Sequence, residues 1–107
     1  MIFIETPIFT AQIAALVDDE SYAEFQKELA INPEVGDVIA GTGGIRKVRM
    51  AARGKGKRGG ARVLYYYFMS QDRIGLLLVY AKGEKDNIME KEKKILAGIV
   101  KTWRQPK

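Results

Sequence analysis

Residues 61–81 read ARVLYYYFMSQDRIGLLLVYA. The stretch holds two β-prone runs separated by a polar break. Ala61–Met69 is dense in aromatic and branched residues, and Ser70-Gln71-Asp72 interrupts it with turn chemistry. Ile74–Ala81 is almost wholly apolar, as a central strand buried on both faces must be. Upstream, Ile45–Met50 (IRKVRM) reads as a third strand with charges interleaved. These three strands predict an antiparallel meander.

Working outward, Met1–Glu5 (MIFIE) reads as a further strand. Thr6-Pro7 supplies an N-cap and a proline at the first helical position. Phe9, Ile13, Leu16 and Val17 then share one helical face. Asp18-Asp19 interrupts that face and caps a second helix carrying Tyr22, Phe25 and Leu29, which Asn32-Pro33 ends. Residues 33–44 contain four glycines and a proline and read as a loop, pinned by Val35, Val38 and Ile39. A last amphipathic helix begins near Asp86-Asn87 and carries Leu96, Ile99, Val100 and Trp103. The order strand, helix, helix, strand, strand, strand, helix argues an α+β fold. Its expected form is an antiparallel sheet with an N-terminal helical hairpin on one face, the other face partly open, and a C-terminal helix. No repeat or linker divides residues 1–107, so one domain is expected.

The composition narrows the chemistry. With neither cysteine nor histidine in the chain, there is no thiol nucleophile, thiolate metal site or imidazole base. No apolar run reaches the ~18 residues of a membrane span and the N-terminus does not read as a signal peptide, so a soluble, cytoplasmic protein is expected. Charge is steeply divided. Residues 1–37 carry a net −7, with Lys27 the one base; residues 72–107 carry +4. Residues 38–71 hold no acid and eight bases: Arg46, Lys47, Arg49, Arg53, Lys55, Lys57, Arg58 and Arg62. A segment this cationic suits a polyanion.

Gly54-Lys55-Gly56-Lys57-Arg58-Gly59 matches G-x-G-x-x-G in letters only. A dinucleotide fingerprint needs a strand before it and a helix after it, whereas here a strand follows. What remains is a bare-backboned turn on which several cations approach one phosphate chain, or simply a solubilising hairpin loop. Arg62 stands among apolar neighbours, either hydrated or paired at the sheet's end or aimed as a planar fork at phosphate oxygens. Lys47 and Arg49 alternate onto one face, with Arg46 and Val48 on the other. Tyr80 and Lys82 share a face, Lys82 also serving to end a strand. An exposed tyrosine, Tyr66 or Tyr80, would stack a base.

The run from Asn32-Pro33 through Gly36-Asp37-Val38-Ile39 and Gly41-Thr42-Gly43-Gly44-Ile45-Arg46-Lys47, then Gly54 to Tyr66, then Tyr80-x-Lys82, resembles the HigB-type branch of the RelE/ParE toxin superfamily. The resemblance covers nearly the whole chain. It implies a RelE-like fold and a toxin, an mRNA interferase that cleaves messenger RNA at the ribosome's decoding site and so inhibits translation. The implied partners are ribosome-bound messenger RNA and a cognate antitoxin. By the family's pattern, Lys47 and Arg49 supply cations before the basic loop and Arg62 opens the next strand. The family's next arginine and its helix tyrosine fall near Gly83 and Met89 here, so both are missing, and Lys82 stands one residue from the first.

RNA carries its own nucleophile, the 2′-hydroxyl, so metal-independent cleavage is expected with no small-molecule cofactor. Arg62 would stabilise the developing charge, and Lys47 or Lys82 would act as acid or base. The competing readings are a ParE-like inhibitor of DNA gyrase and a module that binds RNA without cutting it.

Overall fold

The computed structural model describes residues 1–52, 60–83 and 89–104. In chain order the elements are β1 (Ile2–Glu5), α1 (Pro7–Leu16), α2 (Asp19–Ile31), β2 (Asp37–Val38), β3 (Arg46–Met50), β4 (Ala61–Phe68), a 3-10 turn (Met69–Gln71), β5 (Arg73–Ala81) and α3 (Glu90–Arg104). The expected α+β order holds, with one addition: β2 forms within the stretch read as a loop. Gly41 and Gly43, both at positive φ, turn the chain so that Asp37-Val38 lies back against β3.

Local chemistry sets the helices. The Thr6 hydroxyl accepts from the Phe9 N–H at 3.0 Å and donates to the Leu77 carbonyl at 2.8 Å, capping α1 and fastening it to β5. The Asp18 carboxylate caps α2 through the Ser21 N–H at 2.7 Å, and Asp19 and Glu20 lie in the first turn, where the helix dipole favours acids. Among the described residues, no helix is long and apolar enough to cross a membrane.

The sheet order is β1-β5-β4-β3-β2. β2 through β5 are antiparallel, as the meander reading requires, but β1 runs parallel to β5, pairing Ile2 with Arg73 and Glu5 with Leu76. The sheet is therefore mixed, not wholly antiparallel. A strand's composition shows that it is a strand; its partner is set by where the intervening hairpin lands, and a parallel partner needs a long crossover.

One irregularity shapes both faces. Leu64 pairs with Leu78 and Tyr65 with Leu76, leaving Leu77 as an extra residue on β5. Before it, Ile74 and Leu76 face the helical hairpin; after it, Val79 does. Leu77, Leu78 and Tyr80 face the other way. Two cores result. Phe9, Ile13, Phe25 and Leu29 of the hairpin pack on Val63, Tyr65 and Leu76. On the opposite face, Leu96 and Val100 of α3 pack on Leu64, Leu77 and Tyr80. Each fully buried large apolar side chain contributes about 1.5–3 kcal/mol. The face expected to be partly open is covered in part by α3.

Candidate active site

What α3 leaves uncovered is the end of that face formed by β2, β3 and the start of β4. Strand parity decides what stands there. Met50, Val48 and Arg46 pair with Ala61, Val63 and Tyr65, residues of the hairpin core. Lys47 and Arg49 therefore point to the α3 side, opposite Leu64 and Arg62. Arg62 in turn faces Tyr80 across β5, and Lys47 faces Asp37 across β2. Four strands deliver Asp37, Lys47, Arg49, Arg62 and Tyr80 to one surface. An open cleft of about 450 Å³ is lined by Val35, Asp37, Lys47, Val48, Arg49 and Arg62.

The pairing of Arg49 with Arg62 is a directly opposed like-charge pair, an arrangement that costs stability in an antiparallel sheet. Such a cost is offset when an anion binds between the two groups. Arg62 is half-buried and donates to its neighbour's carbonyl, Ala61 O, at 3.2 Å, while Arg49 is exposed. Arg49 also borders a smaller hollow against α2 that contains Glu24 and Glu28.

Tyr80 is only 5% exposed, its ring packed in the α3 core. Burial raises its hydroxyl's pKa above the ordinary tyrosine range; Arg62 opposes that shift and Glu92 adds to it. The hydroxyl end therefore lies within electrostatic reach of both. Glu92 is held at the start of α3, accepting from the Met89 N–H at 3.0 Å. Among the described residues, no group of three or more acids is placed to hold a metal ion.

Residues 17–107, which contain every residue of this cleft, match the family described as the RelE toxin of the RelE / RelB toxin-antitoxin system. The chain belongs to the RelE toxin family. Membership makes it the toxin of a toxin–antitoxin system and implies a cognate antitoxin as partner.

The RelE-family cleft gathers some of the residues expected from sequence and leaves others elsewhere. Lys47, Arg49 and Arg62 come together in it, with the buried Tyr80 next to Arg62 across β5. Lys82 joins them at the same end of the sheet: its N–H donates to Gly60 O at 3.0 Å, immediately before β4, and its side chain is exposed. Arg46 does not join them. It lies on the hairpin side, where its guanidinium donates to Gly36 O at 2.7 Å and Glu34 O at 3.0 Å and pairs with the Glu34 carboxylate at 3.4 Å. Tyr66 shares the face of Arg62 but sits four residues along β4, about 13 Å away at the usual strand rise. Its ring meets Phe68 edge-on at 4.7 Å. Neither Tyr66, half-buried, nor Tyr80, buried, is the exposed stacking platform expected. Arg53, Lys55, Lys57 and Arg58 lie outside the described residues.

The acid-free segment is not acid-free in space. β2 pairing returns Asp37 to the side of Lys47, and α3 brings Glu92 toward Arg62 and Tyr80. A count along the chain missed both. The signal for Asp37 was present as the glycine turn at 41–44 between Val38-Ile39 and Ile45, a hairpin pattern. Glu92 had no comparable signal, because its position depends on how α3 docks.

Proposed function

We propose that this RelE-family toxin is a ribosome-dependent mRNA endonuclease of the HigB branch, acting by metal-independent attack of the 2′-hydroxyl and inhibiting translation in the cytoplasm. The observation that supports this most is the row Lys47, Arg49 and Arg62 on one sheet face, with two arginines directly opposed. Two arginines at opposed positions on one face present planar forks suited to a phosphate group, whose non-bridging oxygens accept from them.

On this reading the messenger's ribose-phosphate chain lies across β3 and the start of β4. Arg62 and Arg49 neutralise the charge that grows on the phosphorus oxygens as the 2′-oxygen attacks, an effect a preorganised site supplies without reorganisation. Lys47 or Lys82 supplies the proton that the departing 5′-oxygen takes. Tyr80 contributes its hydroxyl rather than its ring, and the basic residues 53–58 extend the contact along the backbone. The missing family arginine and tyrosine, at Gly83 and Met89, are answered by Lys82 and Tyr80 at the same end of the sheet.

Induction of the toxin followed by primer extension on cellular messages tests the proposal. Codon-phased cuts, absent when ribosomes are removed and absent at a 2′-deoxy nucleotide, are expected. Intact messages with inhibited gyrase supercoiling would replace this reading with the gyrase one. Intact messages that remain bound to the protein would replace it with a non-catalytic RNA-binding module.

A further inference from the structure

We propose that Asp37 is the general base of the cleavage reaction. The inference rests on the endonuclease reading and assigns within it a role to a residue that the run of bases concealed.

The cleft holds two kinds of group. Lys47, Arg49 and Arg62 are donors only, and at neutral pH an ammonium or guanidinium has no lone pair with which to take a proton. Among the described residues, Asp37 is the one carboxylate lining the cleft. It is exposed, directly opposite Lys47, and two strands from Arg62. A carboxylate arrives deprotonated, as an acceptor only. The two sides of an in-line displacement need opposite equipment: an acceptor for the proton of the attacking hydroxyl and a donor for the departing oxygen. β2 pairing places an acceptor at one edge of the cationic row, and Lys82 stands beyond the other edge, where β4 begins.

The step balances without an added reactant. The 2′-oxygen forms its bond to phosphorus while its proton passes to the Asp37 carboxylate. The bond from phosphorus to the 5′-oxygen breaks, and that oxygen takes a proton from a lysine ammonium. The products are a 2′,3′-cyclic phosphate and a 5′-hydroxyl end. Solvent then exchanges the two protons back.

The fold supports holding Asp37 in place. Its preceding residue, Gly36, has its N–H bound to the Tyr65 hydroxyl at 2.9 Å and its carbonyl bound to Arg46 at 2.7 Å. A short edge strand is thereby anchored on both polar groups of one residue. Arg46 and Tyr65 are in this sense positioning residues.

The test uses the full-length toxin with programmed ribosomes, under single-turnover conditions, with Asp37→Asn, Asp37→Glu and wild type compared across the acidic to neutral range. Wild-type rate should rise with pH and level off. Asp37→Asn should lose about 10²–10⁴-fold in rate and the rising limb with it, with messenger affinity within about twofold of wild type; Asp37→Glu should recover part of both. A messenger carrying sulfur in place of the scissile 5′-oxygen needs no acid, so it should rescue Lys82→Ala or Lys47→Ala and leave Asp37→Asn slow. Wild-type rate in Asp37→Asn, or an unchanged rising limb, overturns the assignment while the endonuclease reading stands. Failure of the wild type itself to cut on ribosomes removes the endonuclease reading, and the base falls with it.

Discussion

Tyr65 and Gly36 are joined by a hydrogen bond of 2.9 Å that runs from the centre of the sheet to the residue before Asp37. The same hydroxyl donates to Pro33 O at 2.8 Å, so one buried phenol clamps both ends of a four-residue turn. There is no room for more than hydrogen at position 36, where a Cβ would lie 2.9 Å from the Tyr65 ring and hydroxyl.

Removing that clamp loosens the site without emptying the core. Tyr65→Phe keeps the ring and deletes two hydrogen bonds, leaving the Gly36 N–H buried and unpaired. The expected loss is about 1–3 kcal/mol in denaturant unfolding. Amide exchange at Gly36 should quicken at the same time. Unchanged exchange would show that β2 does not depend on the hydroxyl.

The opposed arginines predict effects of opposite sign on stability and activity. Arg49→Gln relieves the like-charge pairing and should stabilise the fold by about 0.2–1 kcal/mol. It should also slow cleavage. Arg62→Ala should reduce single-turnover cleavage by about 10²-fold or more, the usual consequence of deleting a charge-stabilising donor. Thermal melts and rates on the same two proteins check both signs.

Affinity for single-stranded RNA should depend steeply on salt. About five phosphate contacts give a log–log slope near −3.5, and each cation deleted from the cleft should make it shallower by about 0.7. Titrations of an oligonucleotide at several salt concentrations measure this directly. A flat response would reject the polyanion surface.

α3 docks through its tryptophan. A Cβ at Gly75 would overlap the Trp103 ring and meet the Phe68 ring at 3.2 Å, so Gly75→Ala must displace the tryptophan ring or the helix that carries it. Overpacking of this kind costs about 1–3 kcal/mol. The chain has one tryptophan, so its fluorescence reports the displacement without a label.

Three tyrosines should make the fold sensitive to alkali. Burial is the first cause in each: it raises Tyr22, Tyr65 and Tyr80 above the ordinary range, and at Tyr22 a hydrogen bond to Glu5 at 2.6 Å and that carboxylate's charge add to it. With the folded pKa above the unfolded one, the folded state holds its protons longer. Stability from these groups is complete below the unfolded value of about 10 and is lost as pH rises toward the folded values. Urea midpoints should fall above about pH 10, and less steeply in Tyr22→Phe.

Much of this was written in the chain. The meander, both caps of the helical hairpin and the alternation of Lys47 and Arg49 follow from periodicity and local chemistry, which act between near neighbours. The parallel seat of β1, the return of Asp37 and the approach of Glu92 do not, because each depends on where a distant element packs. Arg46 shows the limit within one strand: its neighbours fixed its face, and only the folded loop fixed its partners, Gly36 and Glu34.

The extra residue Leu77 gives β5 two phases in one strand. Its first half is indexed to the hairpin, and its second half is offset by one step, which is how Tyr80 arrives beside Arg62 rather than beneath α1. Deleting Leu77 would therefore close the bulge and leave Tyr80 opposite Arg62, whereas inserting one residue between Leu76 and Val79 would rotate the strand's far end by half a period and turn Tyr80 toward the hairpin side. Added residues along this strand should be far less tolerable than this one deletion.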